Sequence, residues 1–139
     1  RSEKRRLIQA VGTGTSPLGP FTLSDKPAFA DIPTEDVFVW FDPERKRYYA
    51  IFHAHGGDFI GLITSADGIN WEKARHYVVC KKQIPLKDGT VMKVDNMERP
   101  FVFLENGKPV MLSFAVKKGA DSFIVMFAGK ADSAGNQQK

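Results

Sequence analysis

Hydrophobic positions along this chain fall in short runs, each closed by a turn, and the longest stretch of that grammar lies between Glu35 and Trp71. The runs Val37-Phe38-Val39-Trp40-Phe41, Tyr48-Tyr49-Ala50-Ile51-Phe52 and Phe59-Ile60-Gly61-Leu62-Ile63 are rich in aromatic and β-branched residues, which suit a pleated surface buried on both faces. Asp42-Pro43, Gly56-Gly57-Asp58 and Asp67-Gly68 separate them. Strands are therefore predicted over 36–42, 46–54, 59–65 and 76–80, forming one four-stranded antiparallel unit, and no segment carries a helical period.

The pattern repeats. Glu98-Arg99-Pro100-Phe101-Val102-Phe103-Leu104 aligns under Glu35-Asp36-Val37-Phe38-Val39-Trp40-Phe41, with Glu105-Asn106-Gly107 in the place of the Asp42-Pro43 turn. Phe123–Lys130 begins a partial third element with the same grammar as Phe59–Trp71. Upstream, 6–12 reads as a short strand, and Thr13–Phe21, dense in Gly, Pro, Ser and Thr, reads as a tight turn into an outer strand. The linker 81–96, with Pro85 and Asp88-Gly89, reads as a surface hairpin or loop, and Ala131–Lys139 as a frayed polar terminus.

Repeated four-stranded sheets of this kind are blades of a β-propeller. The expected fold class is all-β: about two and a half blades of a β-propeller, with 1–30 ending one blade, 31–82 a full blade and 83–139 the final one. So few blades close no ring, so the chain is expected to be the C-terminal portion of a larger propeller, completed by its remaining blades or by a partner chain.

Composition narrows this only a little. With 42% hydrophobic and 26% charged residues the chain is ordinary for a globular protein. The net charge of +4 resides largely in Lys4-Arg5-Arg6 and Arg45-Lys46-Arg47, with no basic helix for a nucleic-acid groove, so no nucleic-acid partner is expected. Cys80 stands alone, which excludes an internal disulfide and a cysteine-built zinc site. No apolar run approaches the ~20 residues of a membrane span, and no signal-peptide pattern is present. A periplasmic or secreted location is the expectation, with the cytoplasm as the alternative.

Candidate chemistry sits where the repeated strands begin. In a propeller the first strand of each blade lines the central channel, so Glu35, Asp36, Glu98 and Arg99 are expected at its mouth. Facing carboxylates divide into acid and base, as glycosidic cleavage requires, and Arg99 supplies a planar fork for a carboxylate or a substrate group. The structural alternative is that the two glutamates cap strand ends and Arg99 pairs with one of them. His53 and His55 lie on one strand face beside Gly56-Gly57-Asp58, suited to a metal, a proton, a sugar or a blade edge, with no third metal ligand identifiable. No metal ligand set is identified and no cofactor is expected, although a divalent cation such as calcium would be compatible with a channel. Ser65-Ala66-Asp67-Gly68-Ile69-Asn70-Trp71 reads as architecture: a turn with glycine at positive φ and a tryptophan covering the blade edge. Trp40, Tyr48 and Tyr49 read mostly as blade packing, and one such aromatic at the channel mouth would stack on a sugar. Nucleotide-binding and nucleophile-elbow motifs are absent.

The ordered set Glu35-Asp36, F-H-A-H, S-A-D-G-I-N-W, M-E-R-P and G-K-P-V-M-L, preceded by S-P-L-G-P-F, resembles the later blades of five-bladed β-propeller glycoside hydrolases, in particular glycoside hydrolase family 117 and its relatives near family 43. The resemblance runs from about Arg6 to Lys130. It implies hydrolysis of an oligosaccharide or polysaccharide with inversion, Asp36 orienting substrate and tuning the acid, Glu98 in the catalytic pair, and a general base from a first blade outside this sequence. The family pattern places a histidine before that glutamate as general acid, and here the position is Met97, which donates no proton. The acid then falls to Glu98, His55 or another group. A glycoside phosphorylase of the same fold and a non-catalytic carbohydrate-binding propeller are the alternatives.

Overall fold

The computed structural model describes residues 7–129, and every regular element in them is a β-strand. The basic run Lys4-Arg5-Arg6, Lys130 and the polar end Ala131–Lys139 lie outside the described residues. No helix there is long and apolar enough to cross a membrane.

Strands β3 (Thr34–Asp42), β4 (Arg47–Ala54), β5 (Phe59–Ser65) and β6 (Glu72–Lys81) form a four-stranded antiparallel sheet in chain order. Three of the four match their expected limits within two residues; β6 starts four residues before the expected 76 because Glu72 and Lys73 already pair with Thr64 and Ile63. The linker forms a hairpin of β7 (Gln83–Pro85) and β8 (Val91–Lys93), turning at Gly89 with φ 84°. Strands β9 (Asn96–Glu105), β10 (Lys108–Lys118) and β11 (Asp121–Ala128) form a second, three-stranded sheet.

One upstream expectation is corrected. The strand foreseen over 6–12 is reduced, among the described residues, to a single bridge from Gln9 to Phe29. The paired strands are β1 (Gly12–Gly14), which takes in the start of the stretch read as a turn, and β2 (Phe21–Leu23), which begins at its last residue, where an outer strand was expected. Gly14 makes this pairing possible, since a Cβ there would stand 2.7 Å from the Pro20 carbonyl oxygen.

The two larger sheets share one irregularity, at the start of their first strands. In β3 the register slips between Glu35, opposite His53, and Phe38, opposite Ile51, leaving Asp36 and Val37 against Phe52 alone. In β9 it slips between Glu98, opposite Ala115, and Phe101, opposite Ser113, leaving Arg99 and Pro100 against Phe114. Asp36 and Arg99, 63 residues apart, take the left-handed conformation at φ 54° and 52°. Such a bulge bends a strand and re-aims its side chains. Proline at the second bulge position needs no ladder donor.

These registers define two faces per sheet. One face of the first sheet carries Ile51 and Ile60, and it packs on the Met97, Val102, Phe114 and Val116 face of the second. In the aligned repeats, Phe52 is the counterpart of Phe114 and lies on the opposite face of the first sheet, so a front face meets a back face. The sheets stack head to tail. The back of the first sheet is covered by Phe29, Ile32, Trp71 and Tyr77 around Phe52 and Ile63. Gly61 lets the Phe52 ring lie flat on β5, where a Cβ would come within 2.3 Å of it.

Candidate functional site

The two bulges meet. The Arg99 backbone N–H donates to Asp36 Oδ2 at 3.2 Å, so the acidic starts of two successive repeats are tied by main chain to side chain. The structural reading of Arg99 is revised: its backbone amide, not its guanidinium, makes the bond, and the partner is Asp36 rather than either glutamate. Left-handed conformations at non-glycine residues cost about 1–3 kcal/mol each and persist where surrounding structure enforces them. Two at matched positions mark a place where geometry outweighs local preference.

Glu35, one residue before the first bulge, faces the histidines. Its Oε2 lies 3.1 Å from His55 Nδ1 and 3.8 Å from His53 Nδ1. The two imidazole centroids are 6.4 Å apart, as expected for one strand face. His53 is 4% exposed, whereas His55, just beyond the end of β4, is open to solvent.

Sequence reasoning missed Lys82. Its ammonium donates to His53 Nε2 at 2.6 Å and to the Ala54 carbonyl at 3.0 Å. A donating lysine requires Nε2 as acceptor, so the neutral His53 ring carries its proton on Nδ1, which lies 3.8 Å from Glu35 Oε2 and has no hydrogen-bond partner. Burial, and then the Lys82 charge, lower the His53 pKa from its ordinary value; Glu98, Asp36 and Glu35 pull the other way. Burial likewise lowers Lys82, opposed by Glu98, Asp58 and Glu35. Both shifts register the charge of Glu98 from the second sheet, which brings that carboxylate into the same electrostatic neighbourhood. Nothing in the spacing signals Lys82, because its partner is 29 residues away across the sheet.

Glu98 and Arg99 also line a groove of about 360 Å³ on the second sheet, with Asn96, Lys117, Ser122 and Ile124. Met97 points the other way and is 0% exposed in the core between the sheets. The aromatics are elsewhere: Trp40 stacks on Tyr49 at 5.4 Å, and Tyr48 packs on Phe41 at 4.9 Å, toward the far end of β3. Asp67 accepts hydrogen bonds from Ser65, Ile69 and Asn70, which hold its carboxyl far below the ordinary range, and Trp71 donates to the Gly68 carbonyl. That loop is architecture, as its sequence suggests. Burial pushes the Cys80 thiol up to about 11, so it stays protonated at neutral pH.

Among the described residues no group of three or more His, Cys, Asp and Glu side chains has the geometry to hold a metal ion. No family model, no curated protein and no solved structure matches the chain.

Proposed function

We propose that the protein is a glycoside hydrolase whose two sheets are successive blades of a five-bladed β-propeller, with its reaction centre at the paired bulges. One observation carries the reading: the repeated strand starts converge, Arg99 bonding Asp36 at 3.2 Å while Glu35, Asp36 and Glu98 all act electrostatically on buried His53. Head-to-tail stacking of like sheets is the packing a propeller requires, and it supports the fold half of the proposal.

In this reading Glu98 protonates the leaving oxygen, and Asp36 orients the sugar. Met97 is withdrawn into the core, so the histidine acid of the resembling family has no counterpart at that position. Glu35, held against His55, binds substrate hydroxyls together with Arg99. Water activation falls to a carboxylate from another blade. Incubating the full-length protein with an oligosaccharide panel tests the proposal through release of reducing ends. Glu98→Gln is expected to lower turnover by about 10²–10⁴-fold, the usual weight of one acid–base group, with the circular dichroism spectrum unchanged. Binding without any release would replace hydrolysis by carbohydrate recognition.

Lys82 favours a second reading, a phosphorylase of the same fold, because it adds a half-buried cation against His53 and within reach of the Glu98 charge. There a phosphate oxygen bonds to the anomeric carbon as the glycosidic bond breaks, and the leaving oxygen takes the proton. Phosphate-dependent appearance of a sugar 1-phosphate separates the two.

A further inference from the structure

We infer that the outer edge of β11 is the docking site for one extended antiparallel strand, from outside the 139-residue sequence, that carries an aromatic side chain over Phe123. The inference is independent of any catalytic role.

The first sheet shows what belongs there. By register β5 and β11 are equivalent strands: Ile60 pairs with His53 and Ile124 with Ala115, while Phe59-Ile60 recurs as Phe123-Ile124. β5 is followed on its free side by β6, whose Tyr77 packs on Phe59 at 5.7 Å and Phe52 at 6.1 Å. β11 has no strand on that side among the described residues. Its Phe123 is accordingly 38% exposed.

The edge chemistry agrees. β6, an outermost strand, carries Glu72, Lys73, Arg75 and Lys81, the charges by which natural edges resist pairing. β11 reads Asp-Ser-Phe-Ile-Val-Met-Phe-Ala, with no charge after Asp121 and no proline, the composition of an interior strand. Beside it an apolar groove of about 340 Å³ opens between the sheets, lined by Leu62 and Val79 from the first and by Leu112 and Phe127 from the second. A fourth strand on β11 would lay alternate side chains into that groove and satisfy the free backbone groups, the two halves of strand addition.

Other occupants fit less well. Residues 130–139 of the sequence hold no aromatic and no β-branched residue, and β6 of a second copy is already paired with its own β5.

The probe is a synthetic peptide with the sequence of residues 70–82, Cys80→Ser, added to the full chain and followed by amide hydrogen exchange resolved to single strands. At a peptide concentration about 100 times its dissociation constant, the β11 amides are expected to exchange about 100-fold more slowly, and a Tyr77→Ala peptide to protect less. No protection of β11, equal protection by a scrambled peptide, or protection centred on β3 would overturn the inference. So would β11 amides already protected without peptide in a concentration-dependent dimer, since the occupant would then be a second copy.

Discussion

Ile60 and Ile124 are the same residue at the same place in two copies of one sheet, yet the first is 0% exposed and the second 62%. Ile60 faces the second sheet; Ile124 shares the corresponding forward face with Phe101 and Met126, and that face is open. The turns differ as well. Asp42 accepts the Glu44 and Arg45 amides at 2.9 Å each and closes a four-residue loop, whereas Asn106-Gly107, both at positive φ, make a two-residue hairpin. The pair teaches that the repeat specifies backbone register and side-chain direction, while burial is decided by what stands next to the sheet.

Exchanging the equivalent residues tests this directly. Ile60→Ala is expected to cost about 2–5 kcal/mol, and Ile124→Ala to stay within about 0.5 kcal/mol, in urea unfolding of the same chain. Equal losses would mean that the open face is covered in solution. Gly61→Val copies into β5 the residue that β11 holds as Val125, and it drives a Cβ toward the Phe52 ring; about 1–3 kcal/mol is expected to be lost. If this variant melts like the parent, the Phe52 ring moves aside at no cost to packing.

A subtler contrast lies in titration, because His53 is replaced by Ala115 in the second copy. The folded-state pKa of His53 lies below its ordinary 6.5, so below that pH the unfolded chain binds more protons than the folded one. Stability is therefore full above about pH 6.5 and falls as pH drops from there toward the folded-state pKa. His53→Gln is expected to remove that component from the pH profile of the melting temperature. The smallest effect belongs to Lys108, which reaches across from the second hairpin to Glu44 of the first at 2.9 Å in open solvent. Lys108→Ala is expected to leave the melting temperature unchanged within error at physiological salt.

Much of the fold was legible because strand periodicity and turn residues are local. The runs Val37–Phe41 and Tyr48–Phe52 announce β3 and β4 without help from the rest of the chain. The short strand β1 was not legible, since its three residues are Gly-Thr-Gly and pair only because β2 returns beside them. Glu35, Asp36, Glu98 and Arg99 were found through the repeat, but the left-handed bulges that join them leave no mark in composition. His53 and His55 share a face as alternation requires, whereas Lys82 depends on a contact that only the folded sheet creates.

The way the two sheets stack has a consequence for growth. An interface that joins a front to a back, unlike a two-fold interface, regenerates its own acceptor with every unit added. The open front of the second sheet offers such an acceptor, whereas Phe29 and Ile32 already lie over the back of the first. In any assembly of this kind the number of units is a matter of angle: a steady turn per sheet closes a ring, and a turn that does not divide the circle yields a spiral filament instead. Substitutions that alter the tilt between β3 and β9, where Phe38 and Phe101 touch at 4.5 Å, would thus change the count of an assembly and leave its contacts otherwise alike.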